Sequence, residues 1–476
     1  MRLQSSHLFQ KFFSNLSYAI LSNLLVLIVS LLTSLVLPKV LGVKEYSYWQ
    51  LYLFYSTYVG FLHFGWCDGI YLRYGGQNYN DLNKQSLNGQ FYLLFIIQLI
   101  FSVLIYLTTL NLNLGDDRKY VIRLITFCLV ATNMRWMLVY VLQATNRIKD
   151  YAFVMIMDRF IYVFFIIVLL VVGYKSYKLL VVADVIAKVI SLAYAIYLVK
   201  EITELKLKTF LIDIYDIIEN LKSGIKLMFA NLASVLMIGI IRLGVERAWD
   251  IITFGKISLT LSAARLMMVF INAVGVVLYP LLRKMDDRQI SKYYNSIRDL
   301  LSPFLLSLLI FYYPLQVVLN KWLPSYKEGL IYFVFVFPIC FFEGKMALLN
   351  NTFLKVLRKE KLLLHVNLWA LAVSLILTLI FTLVYRSLDY LMASVVVVLG
   401  LRTFLAELWL SKYIKVNIVK ESMIEFGLIF LFILTGSFFG SFISPIWFII
   451  VIAFYIYRQK GPIKKSIEIL KKLSNR

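Results

Sequence analysis

Stretches of about 20 consecutive apolar residues recur roughly 14 times along this chain, and no other feature constrains its fold so strongly. They lie near 16–37, 46–66, 91–110, 120–142, 151–173, 178–199, 223–244, 253–281, 298–319, 329–350, 361–385, 389–411, 424–441 and 443–458. Each is long enough to cross a bilayer. In hydrocarbon every backbone N–H and C=O must find a partner inside the chain, which leaves helices or closed barrels. Spans of this length are helical spans, since transmembrane strands are about half as long. The expected fold class is therefore all-α, a polytopic membrane protein with about 14 transmembrane helices. The composition agrees: of 476 residues, 61% are hydrophobic and 16% charged, unlike any soluble globular domain.

The 49 Lys and Arg against 26 Asp and Glu give a net charge of +23. The basic residues are dispersed rather than gathered into a domain, which excludes nucleic acid as the partner. In a membrane protein they hold cytoplasmic loops in place and touch anionic lipid. Lys and Arg concentrate in the loops 200–222, 283–298, 355–361 and 412–420 and in the tail from Arg458, and this bias predicts that both termini are cytoplasmic. The segment after Arg2 and Lys11 is too long for a cleavable signal core and reads as a retained first span. Cys67, Cys128 and Cys340 sit in or beside spans at no metal or redox spacing, and His7, His63 and His365 are scattered. No metal site and no cofactor is expected.

The 200–222 loop divides the chain. An N-terminal lobe is expected over 1–205 (six helices), a C-terminal lobe over 206–415 (six more), and two appended helices with a basic tail over 416–476. Weak internal similarity supports two six-helix lobes in parallel pseudo-repeat. The turn at 142–154 (LQATNRIKDYAFV) echoes 349–362 (LNNTFLKVLRKEKL), and 45–53 echoes 252–261. Repeats of this kind are a common transporter plan, with substrate between the halves near the midplane.

The second span is unusual. Tyr46, Tyr48, Trp49, Tyr52, Tyr55 and Tyr58 crowd it, and Gly60 and Gly65 lie near its end. Aromatic and small residues suit a helix that lines a cavity or packs closely on a neighbour. Asp68 and Arg73 follow at its inner mouth and are candidates for a cytoplasmic gate. Charges inside other spans demand partners or water. Asp184 and Lys188 are four apart on one helix face and can pair. Asp158 and Arg159 lie close enough to the inner end of their span to snorkel. Arg135, Arg159, Arg265, Lys345 and Arg402 are the candidate cavity cations. For Arg265, Lys345 and Arg402 an anion-binding role competes with pairing to an acid on another helix, Glu343 and Glu407 being available. Excess basic charge at depth favours an anion, phosphate above all. Asp158, Glu343 and Glu407 are candidates for ion coupling. Pro338, five residues before Glu343, predicts a kink in that span.

Several segments taken in order resemble a known family. These are Leu37-Pro38…Leu41-Gly42…Glu45-Tyr46, then Phe64-Gly65…Asp68-Gly69-Ile70…Arg73-Tyr74. In the second half they are Gly239…Arg242…Glu246, Thr253-Phe254-Gly255-Lys256…Ser258, and Phe270…Val277-Leu278-Tyr279-Pro280-Leu281-Leu282-Arg283. Trp322-Leu323-Pro324…Tyr326, Phe337-Pro338 and Asn351-Thr352-Phe353-Leu354-Lys355…Arg358-Lys359-Glu360-Lys361 complete the set. The pattern resembles the bacterial oligosaccharide (O-antigen or capsule repeat-unit) flippases of the multidrug/oligosaccharidyl-lipid/polysaccharide (MATE-like) superfamily. The resemblance implies a V of two six-helix lobes in the bacterial cytoplasmic membrane. It implies movement of an undecaprenyl-diphosphate-linked oligosaccharide from inner to outer leaflet by alternating access, with a cationic cavity facing the diphosphate and cycling driven by protons or sodium ions. It also implies a polysaccharide polymerase and glycosyltransferases of the same pathway as partners. Two other functions compete. A multidrug/cation antiporter of the same fold needs an acid-dominated cavity. A membrane-embedded polysaccharide polymerase or acyltransferase needs a large outer loop or a His-centred site, and the sequence offers neither.

Overall fold

The computed structural model describes residues 28–204, 212–268, 271, 290–438 and 443–474. Segments 1–27, 205–211 and 439–442 lie outside the described residues, as do most of 269–289, including Phe270 and the 277–283 motif. Among the described residues there is no strand. Fourteen helices stand where the apolar segments were expected: α1 (Ile28–Leu41), α2 (Val43–Val59), α4 (Lys84–Asn111), α5 (Asp116–Ala144), α6 (Ile148–Val171), α7 (Tyr177–Leu198), α8 (Ile214–Ala248), α9 (Ile251–Arg265), α10 (Ile290–Trp322), α11 (Phe333–Val356), α12 (Lys361–Val384), α13 (Leu388–Ile414), α14 (Val419–Phe438) and α15 (Ile443–Arg458). Two more are shorter or more polar: α3 (Trp66–Arg73) and the C-terminal α16 (Lys460–Ser474). Nine of the fourteen satisfy length and hydropathy for a membrane span on described residues alone. The chain is an all-helical, multi-pass membrane protein.

The chain separates into two compact units, Met1–Leu232 and Ala233–Arg476, with the division inside α8. In the first unit α5 is the central helix, and it packs against α2, α3, α4, α6 and α7. Its apolar stretch is 72% buried, against 17% for α4 and 22% for α6, which turn their leucines and phenylalanines outward. The core groups Met134, Met137, Leu138 and Leu142 of α5 with Trp66, Ile70 and Leu87. In the second unit the central helix is α11, 83% buried along its apolar stretch. It packs on α9, α10 and α13. Helical hydrogen bonding in α11 is interrupted at Phe337-Pro338, where the proline predicted a kink, and a π-turn follows at Met346–Asn350.

The second span departs from expectation. It is not one helix over 46–66: α2 ends at Val59, a turn occupies 60–65, and α3 restarts at Trp66. Phe64 (φ 53°) and Gly65 (φ 84°) are both left-handed, which breaks the helical path. Here α3 crosses the first turns of α8 at backbone contact. A Cβ on Gly69 would lie 1.8 Å from the Asn220 carbonyl oxygen, and one on Gly224 would lie 1.9 Å from the Gly65 carbonyl oxygen. Small residues permit this approach, as they do generally where membrane helices touch. Three aromatic residues of α2 pack inward, Tyr46, Trp49 and Tyr52 being wholly buried, while Tyr48, Tyr55 and Tyr58 are half-buried.

Gly69→Ala is expected to lower the unfolding temperature in detergent by several degrees, since overpacking a close contact costs about 1–3 kcal/mol. Gly427→Ala, whose Cβ would meet nothing within 4 Å, is expected to leave it unchanged or raise it slightly. Equal behaviour of the two variants in a thermal-shift measurement would contradict the close-contact reading.

Candidate functional site

Three polar clusters stand out against the apolar background. The first closes the α3–α8 contact in the first unit. The Asp216 carboxylate accepts hydrogen bonds from the hydroxyls of Tyr74 (2.7 Å) and Ser86 (2.8 Å) and from the side-chain amide of Gln90 (2.8 Å). Arg73 pairs with Asp216 at 2.7 Å and donates to the Asn220 side chain at 2.7 Å. Four side chains, from α3 with its C-terminal cap and from α4, thus converge on one carboxylate of α8. Asp68 and Arg73, predicted together as a cytoplasmic gate at the inner mouth of the span, have different partners. Asp68 is buried with its Oδ2 3.7 Å from Nε2 of His63, while Arg73 belongs to the Asp216 latch. Asp216 itself was invisible as a site residue, because it lies before the apolar part of α8 and reads as loop.

The second cluster lies within the membrane spans of the first unit. Arg135 of α5 is buried with its Nη1 3.2 Å from Oδ2 of Asp158 on α6. The exposed Arg159 approaches the same oxygen at 3.8 Å. Neither oxygen of Asp158 has a hydrogen-bond partner among the described residues, so this carboxylate is held by charge alone. Asp184 and Lys188 pair along one face of α7, as their spacing predicted. Tyr52 of α2 donates to Asp184 at 2.6 Å, and Trp49 donates to the Tyr162 hydroxyl at 2.9 Å. Trp49 and Tyr52 of the second span are thus hydrogen-bonded across to α6 and α7.

The third cluster fills the second unit. Lys345 of α11 sits between Glu407 of α13, at 2.7 Å, and Glu425 of α14. Arg298 of α10 approaches Glu407 and Glu425 at 3.8 Å each. Ser422 donates to Glu407 at 3.0 Å and Tyr294 at 3.2 Å. Lys345, Arg298, Glu407 and Glu425 are all buried, so the two buried cations and two buried anions, from four helices, form a neutral set. The half-buried Glu421 lies a further 3.8 Å from Arg298. Nearby, Arg402 pairs with Glu343 at 2.7 Å and donates to Asn367 (2.9 Å) and Ser234 (2.8 Å). Pairing across helices, the alternative weighed for Lys345 and Arg402, is what this conformation holds. Arg265 is exposed at the end of α9 and forms no ion pair among the described residues. Of the five candidate cavity cations, Arg159 and Arg265 are exposed and the other three are buried against carboxylates. Arg298 and Glu425 escaped the sequence reading because both stand at the ends of apolar stretches, where a charge is usually explained by the interface. Among the described residues no group of three or more His, Cys, Asp or Glu could hold a metal ion.

Removing one member of a buried pair leaves an uncompensated charge, at a cost of about 3–5 kcal/mol. Lys345→Met is therefore expected to lower the unfolding temperature markedly. Adding Glu407→Gln to it is expected to restore much of the loss, and an additive double variant in the same thermal scan would refute the coupling.

No protein-family model and no curated protein sequence matches the chain. Solved structures do. An inward-facing multidrug resistance MATE family transporter of the MOP superfamily superposes with a TM-score of 0.60 at 12% identity, over 82% of this chain and 94% of that one. The lipid II flippase MurJ in an inward closed conformation gives 0.61 at 12% identity, over 94% and 99%. A MATE transporter in a straight conformation gives 0.52 at 13% identity, over 83% and 93%. The chain has the all-α polytopic fold shared by the MATE transporters and the lipid II flippase.

Proposed function

We propose that this protein flips an undecaprenyl-diphosphate-linked oligosaccharide from the cytoplasmic to the outer leaflet of a bacterial cytoplasmic membrane, by alternating access, for cell-surface polysaccharide biosynthesis. One observation carries the reading most. The likeness to the lipid II flippase leaves about 29 residues of this chain uncovered, fewer than the 61 of segment 416–476, so it must extend into the two appended helices. The likeness to the MATE transporters, at 82%, carries no such requirement. The resemblance of the sequence motifs to oligosaccharide flippases points the same way and supplies the sugar. In this reading the two six-helix lobes are 1–205 and 206–415, both termini are cytoplasmic, and the Arg73–Asp216 latch closes the cytoplasmic side. The cations Arg135, Arg159, Arg265, Lys345 and Arg402 receive the diphosphate. Asp158, Glu343 and Glu407 couple the cycle to protons or sodium ions, and the glycosyltransferases of the pathway act before the flip and the polymerase after it.

A multidrug/cation antiporter is the second reading, favoured by the buried carboxylates Asp158, Asp184, Glu407 and Glu425. Each of these already faces a cation in this structure, which leaves little free negative charge for a cationic drug.

Deleting the gene is expected to trap lipid-linked oligosaccharide on the cytoplasmic leaflet, read by accessibility of the glycan to an added lectin in spheroplasts. Unchanged surface exposure, in cells with no second flippase, would sink the proposal. Export of cationic dyes on expression would favour the antiporter. Arg265→Glu breaks no buried pair, so it is expected to reduce glycan export at least about tenfold, the scale of losing a charge-assisted phosphate contact, while membrane insertion stays intact.

A further inference from the structure

The second unit holds a cavity of about 360 Å³ that none of the three polar clusters uses. It lies between the C-terminal ends of α8 and α12. Leu243, Leu375, Leu379 and Leu383 give it apolar walls, and Arg247 and Arg386 stand among its lining residues. These leucines are all exposed, so the cavity is open along an apolar side.

Four observations say what it takes. First, the two arginines are exposed and mark one end of the groove. Arg386 forms no ion pair among the described residues. Arg247 meets Glu246 through its Nε at 3.1 Å, which leaves its terminal nitrogens available. Second, Tyr385 and Tyr390, exposed and packed on each other and on Phe381, surround Arg386 in sequence. Exposed aromatic groups at a span end mark the membrane–water interface, so this mouth lies at headgroup depth and the leucines below it at acyl depth. Third, the hydroxyl of Thr378, in the cavity wall, is buried and has no hydrogen-bond partner among the described residues. Fourth, α12 carries a π-turn at Ile380–Val384, and such turns concentrate at functional sites.

We infer that this groove is a binding site for a membrane phospholipid. One acyl chain lies along Leu243, Leu375, Leu379 and Leu383, and the phosphate is held between Arg247 and Arg386. The volume is at the low end of the roughly 300–1,000 Å³ of small-ligand pockets, which suits an acyl segment. A soluble anion would not use the apolar walls, whereas a phospholipid satisfies both walls and mouth. Guanidinium groups grip phosphate oxygens in pairs, and basic residues at the membrane surface favour anionic lipid. The inference does not depend on which substrate the protein carries.

The test is native mass spectrometry of the full-length protein released from detergent, with phosphatidylglycerol or a phosphate-free diacylglycerol of the same chain length added. The wild type is expected to retain one phosphatidylglycerol and no diacylglycerol. Arg247→Gln with Arg386→Gln replaces two exposed side chains, the first giving up its contact with the buried Glu246, and is expected to weaken retention at least about tenfold. Arg386→Gln alone, which breaks no ion pair among the described residues, is expected to weaken it in the same direction. Leu379→Trp, which fills the groove and leaves both arginines, is expected to weaken it as well. Equal retention by the double variant, or equal retention of diacylglycerol, would overturn the site. Displacement of the phospholipid by equimolar undecaprenyl phosphate would overturn the choice of occupant. A protein that fails to flip oligosaccharide but retains phosphatidylglycerol in this pattern would leave the groove standing and remove only the proposed transport function.

Discussion

A charge placed in hydrocarbon must meet an opposite charge or water, and this requirement orders both units. Each has one helix far more buried than its neighbours, and that helix carries a buried cation: Arg135 on α5 and Lys345 on α11. Neither cation is satisfied within its own helix. Arg135 reaches Asp158 on α6, and Lys345 reaches Glu407 on α13 and Glu425 on α14. The pairs fix which helices adjoin the central one and in what rotation, because a guanidinium or ammonium turned away would face lipid. Apolar packing between membrane helices specifies this poorly, since lipid is as apolar as leucine. The buried charges therefore serve first as registry devices, whatever else they do.

The internal repeat is sharper in geometry than in sequence. After α5 the chain turns through Asn146 at φ 58°, with Arg147 N–H bonded to the Leu142 carbonyl and Asn146 N–H to that of Gln143. After the end of α11 it turns through Arg358 at φ 54°, with Lys359 bonded to Leu354 and Arg358 to Lys355. Both are Schellman caps, with the six-to-one and five-to-two bonds that satisfy orphan carbonyls. The sequence echo paired Leu142 with Leu349, whereas the hydrogen bonds pair Leu142 with Leu354. Composition located the turn but not its register, because a left-handed residue can be Asn in one copy and Arg in the other.

How much was legible follows from the range of each interaction. The spans were readable because apolar length is a local property, and the kink at Pro338 because proline acts on its own helix. Asp184 and Lys188 were readable because four residues bring two side chains onto one helix face. The break after Val59 was not, since a run of aromatic residues continues smoothly through it. What imposes the break is the contact of Gly65 and Gly69 with α8, about 155 residues away in sequence. For the same reason Arg298, Glu425 and Asp216 stayed hidden. Each has partners on other helices, and hydropathy at the end of a span does not separate a snorkelling charge from a buried pair.

The neutral set in the second unit changes how a positive cavity should be understood. Counting basic residues along the spans suggests a strong positive potential, yet Lys345 and Arg298 face Glu407 and Glu425 at close range. At an effective dielectric near 20, a pair at 4 Å is worth about 4 kcal/mol. A phosphate cannot take Lys345 without displacing a carboxylate, and a displaced buried carboxylate is costly. The cost falls if that carboxylate gains a proton as the anion arrives, for then the charge of the set is conserved. Proton uptake and anion binding would thus be linked by electrostatics alone wherever an anion engages Lys345. By contrast, the exposed Arg265 forms no ion pair among the described residues, so an anion meeting it would displace no carboxylate, whereas the exposed Arg159 lies 3.8 Å from Asp158.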